Sequence, residues 1–293
     1  MDQAWIGSAH LDPTFEVKPT DIANERKSGE QNEMKEQQIA VEACGRQFQI
    51  HYFDKPGAED TILYVHGLGC SSDDFIAMTE QPSLQGCRLL SYDQPGCGRS
   101  PYDVNHPLDI DCLVEVLEAF VKAIGLDRFL LVGGSMGGLI GLLFAERNPD
   151  KIKGFVNVEG NLTPEDCIFS RHVVGNSFEH FEQDVFPKIK QAVAARRGRG
   201  FASHLTVVSR ANPRAYYDNS FQLVKYSDDG NLLDRFLALP MEKYFVYGEE
   251  NRHLKYLPVL RESSCRVFEV AQANHFPFYD DPKAFADILS ECR

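Results

Sequence analysis

Continuous apolar runs, each closed by turn residues, constrain the fold of this chain more than any other feature: TILYVHG at 61–67, RLLSYD at 88–93, RFLLVGG at 128–134 and IKGFVNVEG at 152–160. A strand with one wet face alternates apolar and polar side chains, so uninterrupted runs of this length fit strands buried on both faces of a parallel sheet. Helical patterns lie between them. The clearest places Leu113, Leu117, Phe120, Val121 and Ile124 on one face, with Gly125 as the stop. Strand and helix in alternation predict a doubly wound, mostly parallel α/β sheet, whose ligands gather at the carboxyl ends of the strands.

Upstream, IAVEAC and RQFQIHYF read as a hairpin around Gly45, so the domain opens at about Ile39. After Glu159 the alternation stops, and a helical stretch from Phe178 to Ala195 puts Phe178, Phe181, Val185, Phe186 and Ile189 on one face. The sheet rhythm resumes with KYFVYGEE at 243–250 and RVFEVA at 266–271, followed by a last helix near Lys283–Ser290. The expected organisation is an N-terminal extension over 1–38, a core formed by 39–159 and 240–293, and a helical insertion over 160–239 that caps the carboxyl edge of the sheet.

The formal charge of −13 opposes binding to phosphate backbones or anionic lipid surfaces, so nucleic acid is not an expected partner. Eight scattered cysteines show no CxxC pair and no zinc-like spacing with histidine, which predicts reduced, buried thiols, no metal and a cytoplasmic setting. The polar, acid-rich start lacks the basic and apolar regions of a secretory signal, and no run approaches the roughly 20 apolar residues of a membrane span. The Arg196-Arg197-Gly198-Arg199 run reads as a solvated loop.

Chemistry enters at Gly133-Gly134-Ser135-Met136-Gly137, which follows a strand and opens the helical LIGLLFAERN. In that context a G-x-S-x-G pattern is informative. A sharp strand-to-helix reversal exposes its serine in strained backbone, and side chains two residues to either side would collide with neighbouring elements. The same turn leaves the N–H of Met136 unpaired at the positive end of a helix, where it can stabilise an oxyanion. His66-Gly67-Leu68-Gly69 closes another strand and offers a second N–H at Leu68, with His66 itself in a structural role.

A third motif, Asp93-Gln94-Pro95-Gly96-Cys97-Gly98-Arg99-Ser100, matches the D-x-P-G-x-G-x-S turn of a known superfamily. With the serine elbow and HGLG in the same order, the chain resembles the α/β-hydrolases from about residue 39 onward. The resemblance implies the α/β-hydrolase fold, a Ser-His-acid triad and no organic or metal cofactor. It places the general base at His275, in the loop Ala273-Asn274-His275-Phe276-Pro277-Phe278 after RVFEVA.

The third triad member departs from the common pattern. Most relatives carry an Asp three residues after the glycine that ends the strand equivalent to YFVYG, and here Asn251 occupies that position. An amide cannot stabilise an imidazolium as a carboxylate does. Some relatives place the acid after the sixth strand, where this chain has Glu159; Glu249 and Glu250 are the alternatives.

The resemblance therefore implies a hydrolase acting on a carboxylic ester or related small-molecule acyl compound. Ser135, activated by His275 and Glu159, would attack the acyl carbonyl while the N–H groups of Leu68 and Met136 hold the oxyanion. An acyltransferase of the same fold is the alternative within this chemistry. A non-catalytic member that binds a small molecule is the alternative outside it, motivated by Asn251.

Overall fold

Eight strands form one sheet in the order β1-β2-β4-β3-β5-β6-β7-β8. They are β1 (Lys35–Ala43), β2 (Arg46–Lys55), β3 (Thr61–Val65), β4 (Arg88–Tyr92), β5 (Phe129–Gly134), β6 (Ile152–Val158), β7 (Glu242–Gly248) and β8 (Arg266–Val270). β2 runs antiparallel to both β1 and β4, and the remaining neighbours are parallel. The computed structural model describes residues 33–195 and 199–293, so residues 1–32 of the expected extension, and Arg196, Arg197 and Gly198, lie outside the described residues. The elements described here belong to one unit, Met34–Arg293.

The central strands are buried on both faces, as their unbroken apolar runs predict: Leu63, Val65, Leu130 and Val132 have no solvent exposure. The chain steps from β3 to β4 on one side and then to β5 on the other. Strand order therefore reverses between β3 and β5, the place where open α/β sheets form a ligand crevice.

Helix α1 (Ile110–Ile124) starts at Asp109, whose carboxylate accepts the N–H of Cys112, and ends at Gly125 in left-handed backbone (φ 71°). It buries Leu113, Leu117, Phe120 and Val121 and packs on β1 and on α2 (Met136–Arg147). The final helix, α9 (Pro282–Glu291), begins at the Asp281 cap.

Between β6 and β7 the described residues form helices and turns. A helical turn at Phe178–His180 passes through a π-helical turn at Phe181–Val185 into α3 (Phe186–Ala195). That extra residue in the turn lets Phe181 and Phe186, five positions apart, both be buried. Then come α4 (Arg199–Val208), α5 (Pro213–Asp229) and α6 (Leu232–Ala238). Two short helices, α7 (Leu257–Glu262) and α8 (Pro277–Asp280), precede α9.

Two expectations need correction. β1 begins at Lys35, inside the stretch assigned to the extension, because the first four residues, Lys35 to Gln38, are polar and exposed and give no apolar signal. The cysteines are not all reduced thiols: Cys44 and Cys112 are disulfide-bonded, with Cα atoms 5.8 Å apart. The β1–β2 turn meets the first turn of α1, a proximity invisible across a sequence separation of 68. The other six cysteines are free and buried, so the compartment argument from reduced thiols does not extend to this pair. Among the described residues no helix is long and apolar enough to cross a membrane.

Candidate active site

Ser135 stands alone between the last residue of β5 and the first of α2, at φ 51° and ψ −121°. Non-glycine residues rarely adopt this backbone, which costs of order 1–3 kcal/mol and persists only where the surroundings enforce it. Here the Ser135 N–H donates to the Val158 carbonyl at 3.1 Å, and the Ser135 carbonyl accepts from the Gly138 N–H at 2.8 Å. A Cβ on Gly137 would lie 2.0 Å from the Val65 carbonyl oxygen, so the reversal tolerates only glycine there.

The Gly67-Leu68-Gly69 loop passes beside the elbow, and a Cβ on Gly67 would approach the Ser135 Cβ to 3.0 Å. The Leu68 N–H makes no hydrogen bond among the described residues, and that of Met136, the first residue of α2, has no intrahelical acceptor. His66 is buried beneath this loop. Its Nε2 accepts the Gln94 N–H at 3.0 Å, which leaves the proton on Nδ1 for the Gly67 carbonyl at 2.8 Å. Burial lowers its pKa, so it stays a neutral structural link. The Asp93 turn is structural as well, since its carboxylate accepts the N–H groups of Ser72 and Arg99.

After β8, His275 rises from a loop pinned at both sides: Asn274 donates its N–H to Asp280 at 3.1 Å and accepts the Phe276 N–H through Oδ1 at 3.1 Å. Nδ1 of His275 lies 2.7 Å from Oε2 of Glu159. A carboxylate only accepts, so the proton sits on Nδ1 and Nε2 is left with its lone pair.

Glu159 owes its position to the turn that ends β6. Its backbone is left-handed (φ 44°), and the Asn157 side chain closes the turn by accepting the Gly160 N–H at 2.7 Å. A Cβ on Gly138 would come within 2.6 Å of the Gly160 Cα, so the second glycine of the pair after Met136 lets the elbow and the acid turn touch. The carboxylate is only 4 % exposed, and its desolvation is offset by donors. Gly248 donates its N–H to Oε1 at 2.8 Å, and Nδ2 of Asn251 reaches both oxygens at 2.9 and 2.8 Å.

The alternative acids face elsewhere. Glu249 accepts the Gln272 N–H and pairs with Arg252, while Glu250 is exposed. Asn251, read from the sequence as a lost acid, is instead a donor to Glu159.

Ser135 and His275 line one cavity together with Leu68, Ile168, Phe169 and His204. Its volume is ≈ 20 Å³, room for about one water molecule. No hydrogen bond joins Ser135 to His275 in this geometry; among the described residues the hydrogen bond of the His275 ring is the one to Glu159. Two features had no sequence signal: His204, from α4, and the fully buried Asp74, which accepts Tyr279 Oη at 2.7 Å and Tyr64 Oη at 3.4 Å. Burial pushes the Asp74 carboxyl up to about 7 despite those hydrogen bonds.

Residues 60–245 match the family model described as alpha/beta hydrolase fold. The chain belongs to the α/β-hydrolase family. Among curated members, it is 34% identical over 105 residues to a putative carbamate hydrolase RutD of Rhizobium rhizogenes, covering 36% of this chain and 39% of the relative. It is 29% identical over 119 residues to a 2-hydroxy-6-oxononadienedioate/2-hydroxy-6-oxononatrienedioate hydrolase of Paraburkholderia phymatum, covering 40% and 41%. Those matches thus span about two fifths of each relative's length. The structure of a thermophilic esterase from Thermogutta terrifontis superposes with a TM-score of 0.71 at 16% identity, over 87% of this chain and 97% of that one, a likeness of fold.

Proposed function

We propose that this α/β-hydrolase is a serine hydrolase of carboxylic esters or related acyl compounds, with Ser135 as nucleophile, His275 as general base and Glu159 as the acid that orients it. The observation that carries the reading is the 2.7 Å contact from Nδ1 of His275 to a buried carboxylate, made beside the same cavity that Ser135 lines. It fixes the tautomer in which Nε2 can take a proton from the serine hydroxyl. Oγ then attacks the acyl carbonyl, and the N–H groups of Leu68 and Met136 receive the developing oxyanion. His275 returns the proton to the leaving group, and a water activated in the same way releases the acyl group from Ser135.

The helical segment between β6 and β7 serves as the cap in this reading, since Ile168, Phe169 and His204 close the cavity from that side. The relatives' names include a carbamate hydrolase and a 2-hydroxy-6-oxononadienedioate/2-hydroxy-6-oxononatrienedioate hydrolase, so in this reading the bond cleaved is set by what fits under that cap. Wild-type protein should react covalently with a fluorophosphonate probe and hydrolyse short p-nitrophenyl esters, whereas Ser135→Ala should do neither. An unlabelled wild type would overturn the proposal. Product analysis with an added alcohol separates hydrolysis from acyl transfer.

A further inference from the structure

The cavity wall holds a second serine that the mechanism does not use. Ser170 comes from the segment between β6 and β7, at the start of a short helical turn over Ser170–His172, and lines the cavity with Ser135 and His275. The residue is 1 % exposed, and its Oγ is buried without a hydrogen-bond partner. Oγ of Ser91 and Oδ1 of Asn219 share that state elsewhere, but among the described residues Ser170 is the one that belongs to the cavity wall.

The turn makes no use of this hydroxyl. A serine in a helical segment commonly bonds back to the carbonyl four residues earlier, as Ser209 and Ser220 do at 2.7 Å to Leu205 and Tyr216. A serine at a helix start accepts an N–H ahead of it, as Ser177 does from His180 at 3.3 Å. Ser170 does neither. Only its carbonyl serves the turn, accepting the N–H groups of Val173 and Val174 at 3.0 and 3.4 Å.

The neighbouring polar groups of the wall are engaged within the protein. Oδ2 of Asp166 accepts the N–H groups of Leu162 and Thr163 at 2.8 and 2.7 Å, and its Oδ1 accepts the Tyr256 hydroxyl at 2.9 Å. Cys70 and His204 meet each other at 3.5 Å. A buried polar group left unpaired is costly, and a ligand that pairs it removes that cost. A hydroxyl both donates and accepts, so a substrate group of either kind completes it.

Resting on the serine-hydrolase reading above, we propose that Ser170 is a specificity-determining residue whose hydroxyl hydrogen-bonds a polar atom of the substrate a few bonds from the scissile carbonyl. The site accordingly favours acyl compounds that carry such an atom over their hydrocarbon isosteres. A purely structural Ser170 would need only its carbonyl, because the turn is closed without Oγ.

Two isosteric pairs test this: p-nitrophenyl 3-hydroxybutyrate against 3-methylbutyrate on the acyl side, and 2-hydroxyethyl butyrate against propyl butyrate on the leaving-group side. Each exchanges a hydroxyl for a methyl, and intrinsic reactivity cancels when the wild-type preference is divided by that of a variant. Ser170→Ala should lower the preference for the hydroxyl member of at least one pair by about tenfold in kcat/KM. Ser170→Cys, which restores the volume but hydrogen-bonds weakly, should behave like Ser170→Ala. An unchanged preference in Ser170→Ala would overturn the proposal. So would a preference lost in Ser170→Ala and kept in Ser170→Cys, which would assign the effect to packing.

Calorimetric binding of the same pairs to Ser135→Ala, with and without Ser170→Ala, reads the contact without chemistry. A preference there that depends on Ser170, in a protein whose wild type neither turns over esters nor labels at Ser135, would refute the hydrolase reading while upholding Ser170. No Ser170-dependent preference in binding, in a labelled and active enzyme, would do the reverse.

Discussion

The turns that leave β6 and β7 end side by side at the carboxyl edge of the sheet, yet they carry opposite chemistry. After β6, Glu159 adopts left-handed backbone and buries its carboxylate. After β7, Glu249 and Glu250 face the surface, and the group that reaches inward is the amide of Asn251, 2.8 Å from Glu159. Two carboxylates at that distance would repel, and one would be forced to hold a proton. One strand end supplies charge and the other supplies donors, so the charge need not come from the strand that usually carries it.

Replacing the charge should have the largest effect. Glu159→Gln keeps the volume of the side chain but removes the group that fixes the His275 tautomer, so kcat for ester hydrolysis should fall by about 10³ to 10⁴. An unchanged circular dichroism spectrum would tie that loss to chemistry. Activity within tenfold of wild type would place the acid elsewhere. Replacing the donor should matter less. Asn251→Leu leaves Glu159 with Gly248 and His275 and removes hydrogen bonds to a charged group worth about 1.5–3 kcal/mol, so kcat should drop by roughly 10- to 100-fold. A wild-type rate in Asn251→Leu would reduce the amide to a space filler.

The contrast between these turns also marks how far the sequence could be read. The β5 elbow, the HGLG loop and the D-x-P-G turn are local: each motif is contiguous, and its glycines are required by contacts that its own strand end creates, as at Gly137 against Val65. The doubly wound sheet was legible for the same reason, since a strand buried on both faces writes its burial as an unbroken apolar run. Glu159 could be named only through resemblance, and Asn251 was legible as a departure but not as a partner. Their contact spans 92 positions and depends on two turns meeting across the sheet edge. His204 and the Cys44–Cys112 bond are of the same kind, made by packing between segments far apart in the chain.

Asp74 sharpens the comparison because the side chains that donate to it, Tyr64 and Tyr279, are both neutral, with no backbone N–H among the described residues aimed at the carboxyl group. Burial outweighs them and raises its pKa from 3.8 to about 7. The folded state therefore holds a proton that the unfolded chain has released. The contribution to stability is fully present below about pH 4 and is lost as pH rises through about 7. Asp74→Asn should flatten that dependence by up to about 1.4 kcal/mol per pH unit between those limits, read from urea midpoints across the range. An unaltered slope would show that the Asp74 environment compensates its charge as fully as the Glu159 turn is built to do.

The smallest effect should come from the exposed side of the β7 turn. The Glu250 side chain lies in solvent, so Glu250→Gln should leave kcat within about twofold and stability within about 0.5 kcal/mol. Glu249 is only partly buried, and its links to Arg252 and the Gln272 N–H are at the surface, so Glu249→Gln should cost at most about 1 kcal/mol of stability and little activity. Measuring the three glutamate variants with one ester at one pH turns the comparison into a ranking. Glu159→Gln must fall furthest by orders of magnitude, because only its carboxylate touches His275. A large loss in Glu249→Gln or Glu250→Gln with an active Glu159→Gln would return the acid to the strand where most of the family carries it.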